Sequence, residues 1–294
     1  MQTIVPHLWY DKEAKEAASF YIGLFEDSKL LNVTVLENTP SGDAEYVSFE
    51  LAGQRFDAIS AGPYFKFNPS ISLMVACSSI EEVNAKWNAL IEGGTELMPL
   101  AEYPFSKWYG WVQDRFGLSW QLILVEEGQA VQKITPNFLF SNESCGRAEE
   151  AVKYYVDVFE NSSMGPISRY GKGEAASPKA KVNYVSFNLS GIHFSAMDHA
   201  FDADFNFNEA ISFMINCNDQ KEIDYFWDKL SAVPEAEQCG WARDSFGVSW
   251  QIVPANMDEI MFKGSRGEIK RVTDALFKMK KIDIAALEKA RLDK

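Results

Sequence analysis

The chain of 294 residues is long enough for about two globular domains, and its 47% hydrophobic and 24% charged residues exclude a disordered or fibrous protein. Its 42 acidic against 28 basic residues give a net charge of −14, which repels phosphate backbones and excludes nucleic acid as the main partner. The longest apolar runs fall far short of the roughly 20 residues that cross a bilayer, and the first residues show no signal-peptide pattern. Four scattered cysteines are too few for a disulfide framework. We therefore expect a cytoplasmic protein that binds neither nucleic acid nor membrane.

Taken in chain order, the first half of the chain predicts two βαβββ modules. Residues 4–10 predict a strand, and residues 12–25 repeat apolar side chains at helical spacing. The remaining elements of this half are a helix that Ser78 caps and Gly93 ends, and strands at 29–37, 44–51, 54–60, 71–77, 109–113 and 119–125.

The second half repeats the first. Residues 46–60 and 184–198 share eight of fifteen positions, and so do residues 110–124 and 240–254. Such self-similarity is typical of a tandem duplication. The sequence therefore predicts domain 1 over 1–128, domain 2 over 129–256 and a tail over 257–294. We expect the length differences between the two units to fall in loops.

The tail differs from the repeats in charge. From Phe262 onward it carries ten Lys and Arg residues against five Asp and Glu, and its apolar residues have helical spacing. On charge grounds we expect a basic helical tail that docks on the acidic body of the same chain. An arm that binds a partner or forms a homodimer is the alternative.

Four motifs recur at matching places in both units. They are I-x-P in the first strand, an aromatic pair in the first helix, an Ile-Ser pair in the fifth strand, and G-W-x-x-D-x-F-G-x-S-W-Q near the end of each unit. Over residues 3–254 this pattern resembles the vicinal oxygen chelate superfamily, which has the glyoxalase and bleomycin-resistance fold. More narrowly it resembles the PhnB-like branch, often labelled demethylubiquinone methyltransferase-like. The resemblance implies an α+β protein of two tandem glyoxalase-fold domains, each of two βαβββ modules forming a curved mixed-sheet cup, with a C-terminal helical tail. Whether the cups form within domains or by exchange of modules stays open.

The resemblance also implies which residues would ligate a metal, because metal-dependent members of the superfamily carry their metal ligands on the first and last strands of each module. The first unit offers His7, Asp57, Ser72 and Gln121, and the second offers Asn137, Ser195, Ser212 and Gln251. The second set has no imidazole and no carboxylate, so it cannot compete with water for a divalent ion. We expect no cofactor and no metal. The alternative is a divalent metal in domain 1, held by His7, Asp57 and Gln121.

Strand alternation places side chains two residues apart on the same face. We therefore expect His7 and Trp9 to line one cup together, and Trp120 and Trp250 to pack beneath the helices if Gln121 and Gln251 face the cups.

The sequence favours a small-molecule binder with a metal-poor cup. One alternative is a divalent-metal-dependent lyase, isomerase or dioxygenase acting in domain 1, and another is a scaffold or regulatory protein that uses its tail. A methyltransferase that uses S-adenosylmethionine is not expected, because the chain offers no Gly-rich strand–helix turn of the kind that holds such a donor.

Overall fold

The computed structural model describes residues 3–39, 41–126, 128 and 131–293. The first unit contains ten elements: β1 (Ile4–Tyr10), α1 (Ala14–Ile22), β2 (Lys29–Thr39), β3 (Gly42–Leu51), β4 (Gln54–Ser60), β5 (Ile71–Cys77), α2 (Ile80–Ile91), β6 (Thr95–Tyr103), β7 (Ser106–Gln113) and β8 (Ser119–Leu124). The second unit contains β9 (Ile134–Phe140), α3 (Ala148–Val158), β10 (Ser163–Arg169), β11 (Val182–Leu189), β12 (Ile192–Asp198), β13 (Ile211–Cys217), α4 (Gln220–Leu230), β14 (Trp241–Arg243) and β15 (Ser249–Pro254). The tail contains α5 (Met257–Phe262), α6 (Arg266–Leu276) and α7 (Ile284–Leu292). Among the described residues, no helix is long and apolar enough to cross a membrane.

The strands form two mixed sheets, and each sheet joins one module of each unit. Sheet A has the order β14-β15-β13-β1-β4-β3-β2, and sheet B has the order β10-β11-β12-β9-β5-β8-β7-β6. The joins are antiparallel, between β1 and β13 in sheet A and between β5 and β9 in sheet B. The cups are therefore formed by exchange of modules, which answers the question that the sequence left open. The predicted boundary between 128 and 129 lies between β8 and β9, where Gln129 is outside the described residues.

Helices α1 and α3 lie between the two sheets. The ring of Trp120 on sheet B lies 5.1 Å from that of Tyr21 on α1, and the ring of Trp250 on sheet A lies 5.5 Å from that of Tyr155 on α3. Both tryptophans are fully buried. The opposite faces of the sheets therefore point outward, and we call the outward hollow of sheet A cup A and that of sheet B cup B.

The repeated D-x-F-G motif is a structural turn that fixes a helix to a strand. One carboxylate oxygen of Asp114 accepts hydrogen bonds from the Tyr21 hydroxyl at 2.7 Å and from the Trp120 indole N–H at 2.8 Å. The other accepts from the backbone N–H groups of Phe116 and Leu118. The second unit repeats all four bonds around Asp244. Burial raises the pKa of both carboxyls, and these bonds offset part of the rise.

The fourth module departs from the predicted pattern. Strand β6 of the first unit has no counterpart in the second among the described residues, and a short 3₁₀ turn, Pro234–Ala236, stands in its place. The prediction that length differences fall in loops is therefore wrong here, because the second unit lacks an edge strand that the first unit has. A smaller difference is that Ser79 rather than Ser78 caps α2, accepting a hydrogen bond from the backbone N–H of Glu82 at 3.1 Å.

The tail docks on the body of the same chain, as predicted. Ile282 and Leu287 are fully buried. The Nζ atom of Lys280 lies 3.0 Å from a carboxylate oxygen of Glu237, and an exposed ion pair joins Arg266 to Glu37 on β2. Exposed pairs of this kind contribute at most about 1 kcal/mol each, so apolar burial is the main force that holds the tail.

Candidate ligand site

Cup A holds a cavity of about 610 Å³. All seven strands of sheet A line its inner side, with side chains on the face that points outward from the helices. These strand residues are His7, Trp9, Leu36, Thr39, Tyr46, Ile59, Met214, Trp241, Gln251 and Val253. The structure thus places His7 and Trp9 on one wall, as their spacing predicts.

Aromatic rings form much of this wall and stand nearly perpendicular to one another. The ring of Trp9 lies 5.0 Å from that of Phe65 at 80° and 6.1 Å from that of Trp241 at 75°. The ring of His7 lies 5.7 Å from that of Trp241 at 89°. The indole N–H of Trp9 donates to the Gly62 carbonyl at 2.8 Å, so its polar group is satisfied. The wall therefore presents apolar ring surface to the cavity.

The tail supplies the opposite wall. Side chains of α5 and of the C-terminal end of α6 line the cavity: Met257, Asp258, Met261, Phe262, Leu276 and Phe277. No pattern in the sequence predicted that the tail would take part in the site. Helix α5 contacts the sheet through Phe262 with Tyr46 on β3 and through Asp258 with Arg55 on β4. The segment after α6 contacts the side of cup A that lacks a counterpart of β6, where the backbone N–H groups of Cys239 and Gly240 donate to the carbonyls of Met279 and Lys280.

The base of cup A contains buried polar groups. His7 is only 2% exposed, and its Nδ1 atom makes no hydrogen bond with any described residue. Burial lowers the pKa of His7 to about 3, so the imidazole is neutral at physiological pH. The amide of Gln251 donates to the Ser212 hydroxyl at 2.9 Å, and Ser212 pairs with His7 across the join between β1 and β13.

Asp57 lies beside His7 in the parallel register of β1 and β4 and is fully buried. Burial raises the pKa of its carboxyl, and the neighbouring Arg55 guanidinium offsets part of that rise. Arg55 donates to Asp57 at 3.3 Å and also contacts Asp258 on α5 at 3.2 Å. A charged chain of three side chains therefore connects the base of the cup to the tail.

The predicted site residues divide between the two sheets. Sheet A brings together His7, Trp9, Asp57, Ser212 and Gln251, whereas sheet B holds Ser72, Gln121, Asn137 and Ser195. The trio of His7, Asp57 and Gln121 proposed for a metal is not brought together, because exchange of modules puts Gln121 in the other sheet. Gln251 takes the corresponding place beside His7.

Cup B is filled by its own side chains. Tyr109, Trp111 and Leu139 form a buried cluster, which partly buried neighbours complete: Leu97, Met98, Tyr103, Ile123, Met197 and Phe205. Three of these neighbours come from β6, the strand that cup A lacks. Beneath them, Gln121 accepts from the Tyr109 hydroxyl and donates to Ser72, both at 2.7 Å. Asn137 accepts from the Ser195 hydroxyl at 2.9 Å, but its Nδ2 atom makes no hydrogen bond with any described residue.

The donor set of cup A does not fit a divalent metal. Within the described part of the chain, no three or more His, Cys, Asp or Glu side chains are grouped so as to hold one. The base of cup A offers one imidazole, one amide, and one carboxylate that already contacts a guanidinium. Metal sites in proteins need more imidazole, thiolate or carboxylate ligands than this.

Comparison with solved structures shows the class of fold. Glyoxalase I from Zea mays superposes with a TM-score of 0.53 over 86% of this chain and 94% of that one, at 11% identity. A putative dioxygenase from Bacillus subtilis gives a TM-score of 0.50 over 86% of each chain, at 12% identity. The protein is therefore a tandem glyoxalase-type α+β protein.

The family follows from the sequence of both units. The family model described as 3-demethylubiquinone-9 3-methyltransferase matches residues 2–123 and 132–253, so the chain belongs to that family. A putative 3-demethylubiquinone-9 3-methyltransferase, PhnB protein, from Bacillus cereus is 38% identical over 42% of this chain and 100% of its own, with a TM-score of 0.40. No curated protein matches the chain.

Proposed function

We propose that the protein binds one small, mainly apolar molecule per chain, in cup A. The observation that carries this proposal is the cavity of about 610 Å³ between sheet A and the tail, whereas side chains fill the equivalent hollow of sheet B. Sites for small molecules have volumes of about 300–1,000 Å³, apolar and aromatic walls, and a few polar groups that fix orientation.

The composition of the walls supports the same proposal. Trp9 and Trp241 offer rigid ring surface, and Met214, Met257 and Met261 offer flexible side chains that adapt to the shape of a ligand. His7 and Gln251 are the polar groups at the base. This arrangement is suited to binding a small molecule. The alternative of a metal-dependent enzyme in domain 1 is disfavoured, because Gln121 lies in a different sheet from His7.

The tail argues against the alternative of a scaffold with a free arm, because its helices form a wall of the cavity. We also place the protein in the cytoplasm, on the argument that its four cysteines are all free in the structure.

A fluorescent apolar probe tests the proposal. N-phenyl-1-naphthylamine gains fluorescence in apolar sites, and its titration should give one site per chain. Val253→Phe places a ring in the cavity and should weaken binding at least tenfold. Ile123→Phe is the matched control, because Ile123 holds the equivalent position in cup B and contacts the filled cluster there.

Circular dichroism and thermal unfolding of both variants show that they fold. Loss of binding in Val253→Phe alone supports cup A as the site. Unchanged binding in a folded Val253→Phe variant, or loss of binding in Ile123→Phe, would overturn the proposal.

A further inference from the structure

The charged side chains that line the cavity of cup A all carry the same sign. They are Glu209, Glu235 and Asp258, and no lysine or arginine among the described residues lines the cavity with them. His7 is neutral because burial lowers its pKa to about 3, so it adds no positive charge to the wall at neutral pH.

Two of these carboxylates belong to ion pairs that are oriented alike. Glu209 pairs with Arg243, and Asp258 pairs with Arg55. In each pair the carboxylate lines the cavity and the guanidinium does not. Each pair is therefore a dipole with its negative end toward the cavity, and its potential there is negative although the pair as a whole is neutral.

The third carboxylate, Glu235, lies in the 3₁₀ turn that replaces the missing strand. It forms no ion pair with any residue in the described part of the chain. The neighbouring cation, Lys280, contacts the Pro234 carbonyl at 3.2 Å but pairs with Glu237 rather than with Glu235. The protein as a whole carries a net charge of −14, which adds an attraction for cations at longer range.

The aromatic wall favours the same kind of ligand. Trp9 stands at 80° to Phe65 and at 75° to Trp241, so the rings enclose a corner of the cavity. The indole N–H of Trp9 donates to a backbone carbonyl, which enriches the ring in electrons. The face of an aromatic ring attracts cations, most strongly in tryptophan, and several rings around one volume form the cages that hold quaternary ammonium groups.

We propose that cup A takes an organic cation, an apolar or aromatic molecule with a substituted ammonium group, held between the ring corner of Trp9 and the carboxylates of Glu209, Glu235 and Asp258. This proposal rests on the proposed function, because it names the class of ligand for the same cavity. Anions of the same shape should bind more weakly, because the potential in the cavity is negative and no described lysine or arginine lines it.

Three naphthalene compounds of nearly equal shape test the proposal by displacing N-phenyl-1-naphthylamine: 2-naphthyltrimethylammonium, its uncharged isostere 2-tert-butylnaphthalene, and 2-naphthalenesulfonate. The cation should bind at least tenfold more tightly than the isostere, and the sulfonate more weakly than both. The preference for the cation should decrease as the salt concentration rises.

Glu235→Gln and Trp9→Leu should each reduce the preference for the cation, while 2-tert-butylnaphthalene still binds to Glu235→Gln with unchanged affinity. Glu96→Gln, an exposed substitution on β6 of the other sheet, is the matched control and should leave the preference unchanged. Glu235 is exposed, so its substitution is expected to leave the fold intact.

Equal affinity for the cation and the isostere would overturn this inference and leave the proposed function standing, provided that Val253→Phe still weakens probe binding at least tenfold. Tighter binding of the sulfonate would likewise overturn the inference. Failure of all three compounds to displace the probe would also overturn the inference, whereas the proposed function is overturned only if Val253→Phe leaves probe binding unchanged or Ile123→Phe removes it.

Discussion

The guanidinium of Arg55 lies 3.2 Å from the carboxylate of Asp258, and this contact joins the sheet of cup A to the first helix of the tail. Arg55 also lies 3.1 Å from a carboxylate oxygen of Asp57, which is fully buried, whereas the side chain of Asp258 is about half exposed. The two carboxylates therefore depend on Arg55 to very different degrees.

Arg55→Leu should reduce the free energy of unfolding by about 3–5 kcal/mol, because it leaves the buried Asp57 carboxylate without the guanidinium that offsets its charge. Asp258→Asn should cost at most about 1 kcal/mol, because its pair with Arg55 is exposed on one side. Urea unfolding of both variants measures the difference. Equal losses would show that Arg55 does not act mainly on Asp57.

His7 should make stability depend on pH. Its pKa falls from 6.5 to about 3 on folding, so between these values the unfolded chain binds a proton that the folded chain does not. The His7 contribution to stability is therefore complete above pH 6.5 and is lost as the pH falls toward 3. From pH 7 to pH 5 the loss amounts to about 2 kcal/mol.

His7→Phe should remove this dependence. The difference in free energy of unfolding between wild type and variant should change by about 2 kcal/mol between pH 7 and pH 5 in urea titrations, with wild type losing more. A difference that stays constant over this range would mean that His7 titrates alike in the folded and unfolded chains.

Cys239 should report on occupancy of the cavity. It lines cup A and is partly exposed, whereas Cys77, Cys145 and Cys217 are buried. Burial raises the pKa of the Cys239 thiol to about 11, so its reaction with N-ethylmaleimide should be slow at pH 7 and should accelerate about tenfold per pH unit up to pH 9.

Saturation with N-phenyl-1-naphthylamine should slow this reaction several-fold at constant pH, as measured by peptide mass mapping. Modification of Cys217 before Cys239 would contradict the described burial. Equal reaction rates with and without the bound probe would show that Cys239 lies outside the ligand site.

The two buried aspartates of the repeated turn should matter equally for stability. Asp114→Asn and Asp244→Asn each replace a carboxylate that accepts from a tyrosine hydroxyl and a tryptophan N–H, with equal bond lengths in the two units. Each should reduce the free energy of unfolding by about 2–3 kcal/mol, because the amide can turn only one acceptor toward these donors. Urea unfolding checks this, and a neutral effect at both positions would refute the structural role of the motif.

Local patterns in the sequence predicted the positions of single side chains well. Alternation along β1 placed His7 and Trp9 on one face, and alternation along β15 placed Gln251 opposite Trp250, because a strand fixes side-chain direction over two residues. The partner of each strand is a different matter. Because β1 and β9 have similar apolar sequences, no local sequence pattern predicts that β1 pairs with β13 rather than with β5.

The site could not be predicted for the same reason. Its polar base combines His7 with Gln251, which are 244 positions apart, and its outer wall comes from Met257, Met261 and Phe262 in a tail that the repeat does not contain. One feature of the sequence could have indicated the site: relative to the first unit, the second unit lacks ten residues before β14. They correspond to β6, whose absence leaves cup A without the side chains that fill cup B.

Diffraction from crystals soaked in 2-bromonaphthalene shows whether cup A binds a small apolar molecule, because the anomalous signal of bromine locates the bound compound. We predict one bromine position per chain, between sheet A and α5, within contact distance of Trp9 or Trp241. A bromine position within the side chains of cup B, or none in cup A at a concentration that saturates the fluorescence assay, would show that cup A is not the binding site.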